Sequence, residues 1–495
     1  MRRKSLMMII IGILLLQPLL LGVSTPITSE QIGVKEEAKT LTQDPGTRLG
    51  PGEFTDHVPI LINGTQDFID QAWPGSGTEV DPYLFQGLNI THNQPTRGIQ
   101  IINTSVYVLI QDCYINQDST DFGIYLFNTS HVTIEYTTLI SAGEGIFANN
   151  ANNTLISHSY IRSDLSFGLY IIISEDCTAE GNYFESYSLA PLFVIQCPYF
   201  TSAENVYNGT LIGYGMYIVT SNYTTSTNDH VFGAYGVYAT ASFYMEIDGL
   251  TCESTQYGVA VESQDEFSLA NSKIGDVINY GLIVHGSENA SIIDCVVSSS
   301  DDNGYFILDS DNLVFKGNSL PESGDTGVVI VNCNYAVIEN NTVGMNFGHG
   351  MSIENCMNSS VRYNEVGMTF ANGIYLGVSH NSTVSHNMVS ETNAHGIVLD
   401  TCANSTVFMN TVEDTYNEGI YCTAAMNQQV FDNTLSMIGA SGIYLDGCPD
   451  SRVENNDISM GSSSNYGIDV SDSPRTPILL NTLADCGSGI YLGNS

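Results

Sequence analysis

The feature that most constrains this chain is a glycine followed by alternating apolar residues, which recurs about every 23 residues. The spacing is 23 at every step along one run of anchor glycines: Gly281, Gly304, Gly327, Gly350, Gly373, Gly396, Gly419 and Gly442. The same pattern extends upstream to Gly98, at intervals of 21 to 25, and downstream to Gly489. A fixed period of this size predicts a solenoid, in which each repeat buries its apolar face against the next.

Residue directions within a repeat follow from counting the glycine as position zero. Positions +1 and +3 are aliphatic, as in Ile374 and Leu376, while +2 varies. This alternation predicts a strand with +1 and +3 inward and +2 outward. An asparagine recurs at +14, between aliphatic residues at +11 and +16, which predicts three short strands per coil and an interior amide ladder. Its members are Asn318, Asn341, Asn364, Asn387, Asn410, Asn433, Asn456 and Asn481.

Helical periodicity is absent, which excludes helical solenoids, and a β-propeller needs about 40 residues per unit. The repeat GI-x-L…NST-V-x-x-N-x-V resembles that of right-handed parallel β-helix proteins. This family includes pectin-active enzymes, NosD-like periplasmic copper-binding proteins and many secreted archaeal and bacterial proteins. The resemblance covers residues 58–495 and implies an all-β, right-handed parallel β-helix, a single-stranded solenoid. We expect about 18 coils of about 23 residues, stacked into a rod about 85 Å long.

The two ends of the chain differ from the repeats. Residues 1–24 resemble a secretory signal peptide, with an uncleaved anchor as the alternative, and residues 25–57 a flexible linker. We assign residues 58–97 to an N-terminal cap and solenoid entry, and 98–495 to the repeats. The last coil is incomplete, so we expect a partner or further coils at its exposed edge. Membrane attachment is expected only through the N-terminal segment or a missing C-terminal anchor.

The charge is strongly acidic, with 53 Asp and Glu against 13 Lys and Arg and a net charge of −40. This balance excludes nucleic acid as a partner and opposes binding to anionic membrane surfaces. With the signal-like segment, it predicts a secreted or cell-surface protein. Four of the 11 cysteines fall six residues after their glycine, which favours interior stacking over disulfides. They are Cys333, Cys356, Cys402 and Cys448.

Position +2 is aromatic in many coils. The residues are Tyr125, Phe147, Tyr170, Phe193, Tyr217, Tyr238, Phe306, Tyr375, Tyr421 and Tyr444. Because +2 points outward, we predict an aromatic face that binds polysaccharide or a cell-envelope component. The alternative is structural, since aromatic residues suit exposed strands and stack across them.

A catalytic alternative comes from Gly348-His349-Gly350, which resembles the Gly-His-Gly motif of polygalacturonases. The resemblance implies catalytic carboxylates on preceding coils and a basic pair on the following one. Asp325 matches one carboxylate position, but the other carboxylates and both basic residues are missing. We therefore treat Asp325 and His349 as weak catalytic candidates. A polysaccharide hydrolase or lyase is the second hypothesis, behind a non-catalytic binding or structural rod.

Metal and modification sites complete the sequence-based predictions. A NosD-like, copper-related accessory protein is the third hypothesis, but no ligand cluster supports copper, and we predict no metal site or cofactor. Calcium at acidic turns such as Asp301-Asp302 stays open. Glycosylation sequons that share the +8 turn are Asn289, Asn358, Asn381 and Asn404, and chance occurrence of the motif in an Asn-rich solenoid is the alternative.

Overall fold

The computed structural model describes residues 53–92, 96–210, 212–461 and 465–495. The predicted signal peptide, and the predicted linker up to residue 52, lie outside the described residues. The described chain coils as a parallel β-helix, with three strands per turn that each pair in parallel with the equivalent strand of the next turn. The predicted fold is confirmed.

Sheet 1 contains the strands that follow the anchor glycines. They are β2 (Ile60–Asn63), β5 (Ile99–Thr104), β8 (Ile124–Ser130), β11 (Ile146–Asn152), β14 (Phe167–Ile172), β17 (Ala190–Ile195), β20 (Tyr214–Val219), β22 (His230–Thr240), β24 (Thr251–Glu262), β27 (Leu282–His285), β30 (Tyr305–Leu308), β33 (Val328–Val331), β36 (Met351–Glu354), β39 (Ile374–Gly377), β42 (Ile397–Asp400), β45 (Ile420–Thr423), β48 (Ile443–Asp446), β51 (Tyr466–Ser471) and β54 (Ser488–Gly493).

Sheet 2 contains the middle strand of each turn. Its members are β3 (Tyr83–Gln86), β6 (Val108–Gln111), β9 (Val132–Glu135), β12 (Leu155–Ser157), β15 (Thr178–Glu180), β18 (Thr201–Ala203), β21 (Thr225–Thr227), β23 (Glu246–Asp248), β25 (Ser268–Ala270), β28 (Ser291–Ile293), β31 (Val314–Lys316), β34 (Val337–Glu339), β37 (Ser360–Arg362), β40 (Thr383–Ser385), β43 (Thr406–Phe408), β46 (Gln429–Phe431), β49 (Arg452–Glu454) and β52 (Ile478–Leu479).

Sheet 3 contains the last strand of each turn, and the long strands β22 and β24 pass through both sheet 3 and sheet 1. Its other members are β1 (Thr55–Asp56), β4 (Leu88–His92), β7 (Tyr114–Gln117), β10 (Thr138–Ser141), β13 (Tyr160–Ser163), β16 (Tyr183–Ser186), β19 (Val206–Asn208), β26 (Lys273–Val277), β29 (Val296–Ser300), β32 (Ser319–Ser323), β35 (Thr342–Asn346), β38 (Glu365–Thr369), β41 (Met388–Thr392), β44 (Thr411–Thr415), β47 (Thr434–Ile438), β50 (Asp457–Ser459) and β53 (Thr482–Ala484).

The register keeps each repeat position in a straight column along the helix. Ile374 pairs with Ile397, which in turn pairs with Ile420, and all three side chains are fully buried. The predicted inward positions +1 and +3 therefore form the core. Position +2 points outward, but Val398 is only 4% exposed there, since its column neighbours are the larger Tyr375 and Tyr421.

The predicted asparagine ladder forms at the corner between sheets 2 and 3. The Nδ2 of Asn387 donates to the Oδ1 of Asn410 at 3.0 Å and to the carbonyl of Val361 at 2.9 Å. Its Oδ1 accepts hydrogen bonds from the backbone N–H and the Nδ2 of Asn364, at 3.0 and 2.9 Å. Each amide thus provides hydrogen-bond partners for buried backbone groups of neighbouring turns. These bonds hold the corner together, because the regular hydrogen bonds between strands stop there.

The cysteines are free and, except for the half-buried Cys486, fully buried, as the stacking prediction expects. The backbone N–H of Cys333 donates to the Sγ of Cys356 at 3.2 Å, so the two side chains stack without a disulfide. Burial raises the pKa of the Cys402 thiol to about 12. The Cys402 thiol is therefore a neutral interior group rather than a reactive one.

One short helix, α1 (Thr65–Asp70), lies between the first strands of sheets 1 and 2. Its Phe68 is fully buried and stacks on Tyr83 with ring centroids 4.3 Å apart, and Trp73 packs edge-on against Phe85. These aromatic contacts close the apolar interior at its first turn.

Candidate functional site

The aromatic residues at +2 form a continuous ladder in the first half of the β-helix. Tyr125 stacks on Phe147 with ring planes 15° apart, and Phe193 stacks on both Tyr170 and Tyr217 at 5.0 and 4.7 Å. The guanidinium carbon of Arg97 lies 3.5 Å from the centre of the Tyr125 ring and covers the start of the ladder. The structure therefore brings these predicted residues together on sheet 1.

Further along, the ladder moves to the position just before the glycine. Tyr214 contacts both Tyr217 and Tyr235, at 4.8 and 5.0 Å, and stacking continues from Tyr235 to Tyr257 with planes 5° apart. Tyr238 belongs to the ladder at this crossover. Later, Tyr280 contacts Phe306, and Tyr421 stacks on Tyr444.

Stacking along the column leaves the ladder rings with edges, rather than faces, toward solvent. With centroids about 5 Å apart and nearly parallel planes, as for Phe193 and Tyr217, each ring face is filled by its neighbour. Tyr hydroxyls are used locally as well, since the hydroxyl of Tyr238 donates to Glu262 and that of Tyr375 to Asp400, both at 3.0 Å. The ladder therefore offers mainly ring edges to a ligand, and at least two of its hydroxyls are already bound within the protein.

A second feature is a groove along the corner between sheets 3 and 1. It arises from a repeated bulge, because the residue at +18 has a left-handed backbone in four successive turns: Met368, Glu391, Asp414 and Met437, with φ of 51° to 54°. The bulge turns two consecutive side chains outward, such as Ser390 and Glu391, before Thr392 turns back into the core. The Thr415 hydroxyl then closes the corner by donating to the carbonyl of Asn417 at 3.0 Å.

The resulting open groove has a volume of about 970 Å³, which is enough for an extended ligand. Its +18 residues run from Met345 to Met460 on six successive turns, or about 24 Å at the usual strand spacing. Thioether, aromatic and amide side chains line it, including Met437, Phe370 and Asn393.

Aromatic residues in the groove differ from those of the ladder because their ring faces are open. Tyr416 is 76% exposed, and within the described part of the chain no ring stacks on it. Its neighbours in the +20 column are Asn393 and Gly439, and a Cβ at Gly439 would meet the Tyr416 carbonyl oxygen at 2.2 Å. Phe370 is 54% exposed and stacks only on the far side, against Phe347. Tyr416 lies two turns after Phe370, and the turn between them places Asn393 rather than a ring in the +20 column.

The charge of the groove is negative. Glu391 and Asp414 occupy the same position on adjacent turns, and both are exposed. None of the described lining residues is Lys or Arg. The described residues as a whole contain seven Lys and Arg, and six of them pair with a carboxylate.

His349, the weak catalytic candidate, lies beside the groove on the edge of sheet 1. Its ring stacks on Tyr375 of the next turn, and its Nδ1 accepts a hydrogen bond from the backbone N–H of Asn372 at 3.2 Å. Burial lowers the pKa of His349, while the carboxylates of Glu354 and Asp325 act in the opposite direction. The structure thus brings the imidazole and Asp325 into electrostatic contact, with a neutral ring at neutral pH.

His395 repeats this arrangement two turns later. Its ring stacks on Tyr421 at 5.1 Å, and its Nδ1 lies 2.9 Å from the Oε2 of Glu418. A histidine before the glycine that packs on the next turn's tyrosine is therefore a recurring element of this surface. The Gly-His-Gly sequence therefore has a structural explanation that does not require a catalytic role for the histidine.

The predicted glycosylation sites lie at the corner between sheets 1 and 2. Asn289, Asn358, Asn381 and Asn404 are all exposed and have left-handed backbones with φ of 54° to 57°. Asparagine suits this conformation, which provides an independent reason for the residue at +8. Modification at these sites stays a prediction.

No three or more His, Cys, Asp and Glu side chains in the described ranges lie where they could hold a metal ion. No helix in those ranges has the length and apolar character needed to cross a membrane.

The groove residues were missed by sequence reasoning. The signal was present at +18 and +20, where Met345, Met368 and Met437 flank two acidic residues and Phe347, Phe370 and Tyr416 recur. These columns lack a regular pattern of residue type, so they read as loop. The bulge that exposes them occurs at two Met, one Glu and one Asp, and of these only Asp is a common turn residue.

Several solved structures have distant similarity to this chain. The Dettilon tailspike protein is 14% identical, with a TM-score of 0.39, and the match covers 56% of this chain and 62% of the tailspike chain. The periplasmic alginate epimerase AlgG is 14% identical, with a TM-score of 0.33 and coverage of 68% and 76%. The A-module of the Azotobacter vinelandii mannuronan C-5 epimerase AlgE6 is 11% identical, with a TM-score of 0.30 and coverage of 69% and 89%. No curated protein matches the chain.

Two family models match the sequence. The model described as right handed beta helix region matches residues 97–251. The model described as periplasmic copper-binding protein (NosD) matches residues 220–368, 271–438 and 427–495, which together span more than half of the chain. The chain therefore belongs to the NosD family of right-handed parallel β-helix proteins.

Proposed function

We propose that this protein is a secreted or cell-surface β-helix that binds an extended polysaccharide without cleaving it. The observation that carries the proposal is the groove between sheets 3 and 1, in which Tyr416 and Phe370 present open ring faces. Aromatic faces pack against the apolar faces of sugars, while neighbouring amides such as Asn393 bond to hydroxyls. A groove across six turns suits a chain of repeating units better than a compact ligand.

The ladder at +2 has a structural role in this proposal. Its rings stabilise the stacking of turns, since aromatic cross-strand pairs each contribute about 0.2–1 kcal/mol. The proposed binding face is therefore the +20 column, which lies at the corner next to the +2 column that the sequence predicted. Residues such as Tyr444 can still extend the contact surface, because they lie on the adjoining sheet.

The test is a polysaccharide panel in which binding and product release are read together. We expect saturable binding without new reducing ends or unsaturated products. The Tyr416→Ala variant should bind about tenfold more weakly, since an aromatic contact contributes about 0.5–1.5 kcal/mol beyond its buried area. Tyr335→Ala is the matched control, because Tyr335 is also an exposed tyrosine but lies outside the groove. Absence of binding to every polymer, or equal loss in both variants, would contradict the proposal.

A second candidate function is cleavage of the bound polysaccharide, favoured by the cluster of His349 with Asp325 and Glu354. Glycoside hydrolysis uses one carboxyl group as acid and a carboxylate as base or nucleophile. The missing basic residues and the repeat of the same histidine packing at His395 weigh against it. Product release in the panel that is abolished by Asp325→Asn would establish this alternative.

The copper in the family's description finds little support in the described residues. They hold no group of three His, Cys, Asp or Glu side chains suited to a metal, and ten of the 11 cysteines are buried. Burial also raises the pKa of thiols such as Cys402, which opposes the thiolate that a metal needs. These donor residues do not fit a copper site.

A further inference from the structure

We infer that the groove accepts a glycan chain without acidic groups, either neutral or amine-bearing, and rejects polymers of uronic or sulfated sugars. This inference rests on the proposed polysaccharide-binding function and specifies the class of ligand. It follows from where the charges of the groove lie, which is independent of the aromatic contacts that carry the function itself.

The carboxylates stand within the path of the ligand. Glu391 and Asp414 occupy the bulge position on adjacent turns: Glu391 lies one turn after Phe370, and Asp414 lies on the same turn as Tyr416. A sugar that packs on either ring therefore lies beside at least one of them. An acidic sugar would bring a like charge close to these side chains, and like charges repel most where solvent is partly displaced.

No neighbouring cation offsets this repulsion. The described lining of the groove has no Lys or Arg, and six of the seven described basic residues elsewhere already pair with a carboxylate. For example, Arg362 binds Glu339 on sheet 2 at 2.7 Å, and Arg475 holds Asp450 at 2.6 Å. Recognition of carboxylates or sulfates in proteins relies on arginine or lysine, and none is placed to provide it here.

The polar groups that do line the groove match hydroxyl and amine ligands. Asn393 and Asn417 provide amides that both donate and accept, and the two carboxylates accept from hydroxyl or ammonium groups. The thioethers of Met368 and Met437 provide adaptable apolar contact along the floor. An uncharged or amine-bearing glycan satisfies all of these groups at once.

The experiment compares the full chain's binding to matched hexasaccharides, in low-salt buffer with a chelator. The non-acidic ligands are cellohexaose, N-acetylated chitohexaose and the amine-bearing glucosamine hexamer, and the acidic ligands are the galacturonate and mannuronate hexamers. The same comparison is then repeated with long neutral and acidic polymers. We expect at least one non-acidic ligand to bind at least tenfold more tightly than either acidic one. That binding should weaken about tenfold in Tyr416→Ala and stay unchanged in Tyr335→Ala.

The charge argument is isolated by the double variant Glu391→Gln, Asp414→Asn. Both side chains are exposed, so the fold should tolerate the change. We expect it to gain acidic-oligosaccharide binding by about tenfold relative to its own binding of the neutral hexamers. Tight binding of an acidic glycan to the unmodified chain, or unchanged discrimination in the double variant, would overturn the inference and leave polysaccharide binding intact. Failure of every glycan to bind would instead overturn the proposed function.

Discussion

Replacement of one ladder asparagine tests how much the interior amides stabilise the β-helix. Asn387→Ala removes the oxygen that accepts from the backbone N–H and the Nδ2 of Asn364, and the amide that donates to Val361 and Asn410. The backbone N–H of residue 387 keeps its hydrogen bond to the Oδ1 of Asn410, at 3.0 Å, in this variant. Two buried donors on Asn364 therefore lose their acceptor.

The cost follows from those two donors. A buried donor without a partner costs about 1–3 kcal/mol, so we expect Asn387→Ala to destabilise its surroundings by about 2–6 kcal/mol. Each repeat contacts mainly its neighbours, so the effect should be local rather than spread over the chain. A loss of this size speeds hydrogen exchange of the adjacent strands by at least about thirtyfold, at 1.4 kcal/mol per factor of ten.

Native-state hydrogen exchange read by mass spectrometry is the suitable assay, since it resolves individual turns. Peptides that cover residues 361–410 should exchange faster, while those from the first turns should not change. Ser390→Ala is the control, because Ser390 lies on the outer face of the neighbouring strand and its loss should stay within about 0.5 kcal/mol. Exchange within threefold of the unmodified chain in Asn387→Ala would refute the assignment of stability to the ladder.

Three further predictions concern the buried acid, a strained corner and the anchor glycines. Burial raises the pKa of Asp229 above its unfolded value of about 3.9, so its contribution to stability is present below that pH and is lost as pH rises through the folded pKa. The thermal midpoint of the unmodified chain should therefore fall between pH 4 and 7, and Asp229→Asn should lack this fall. Identical pH profiles of the two proteins would contradict this. Val378→Asn should stabilise the protein by about 1 kcal/mol in thermal unfolding, because the β-branched Val378 is held at φ 53°. The equivalent position one turn earlier is Asn355, a residue type that suits this backbone conformation. No gain in thermal midpoint would count against backbone strain at Val378. Gly396→Ala should destabilise the protein by about 1–3 kcal/mol, since the added Cβ would lie 2.3 Å from Val412. Gly275→Ala is the control and should be neutral, because the nearest atom to its added Cβ lies at 3.5 Å. Equal thermal midpoints for the two variants would argue against close packing at the anchor glycines.

The parts of the structure that could be predicted are those in which one repeat position has one physical task. Burial of Ile374 and Leu376 follows from alternation, and the ladder around Asn387 follows because a repeated interior amide has few other ways to be satisfied. Free, stacked cysteines such as Cys356 follow from the same logic. These tasks leave a periodic signal, since each turn must meet the same condition.

The candidate site was beyond this reasoning for two physical reasons. Outward direction does not determine whether a ring presents its face or its edge, and Tyr217 stacks on the rings of Phe193 and Tyr214. The groove depends on a left-handed backbone at Met368, Glu391 and Met437, residue types that give no local sign of it. Exposure of Tyr416 follows from that bulge and from the small neighbour at Gly439, which differs from turn to turn.

The bulge at +18 gives this surface an unusual way to change. Because each turn supplies one bulged residue and one +20 side chain at constant register, duplication or loss of a single 23-residue unit would lengthen or shorten the groove by one step of about 4.8 Å. The core and ladder columns would simply gain or lose one rung. Evolution can therefore adjust the number of ligand units that are held, and exchange individual contacts at +18 and +20, while the rest of each repeat stays the same.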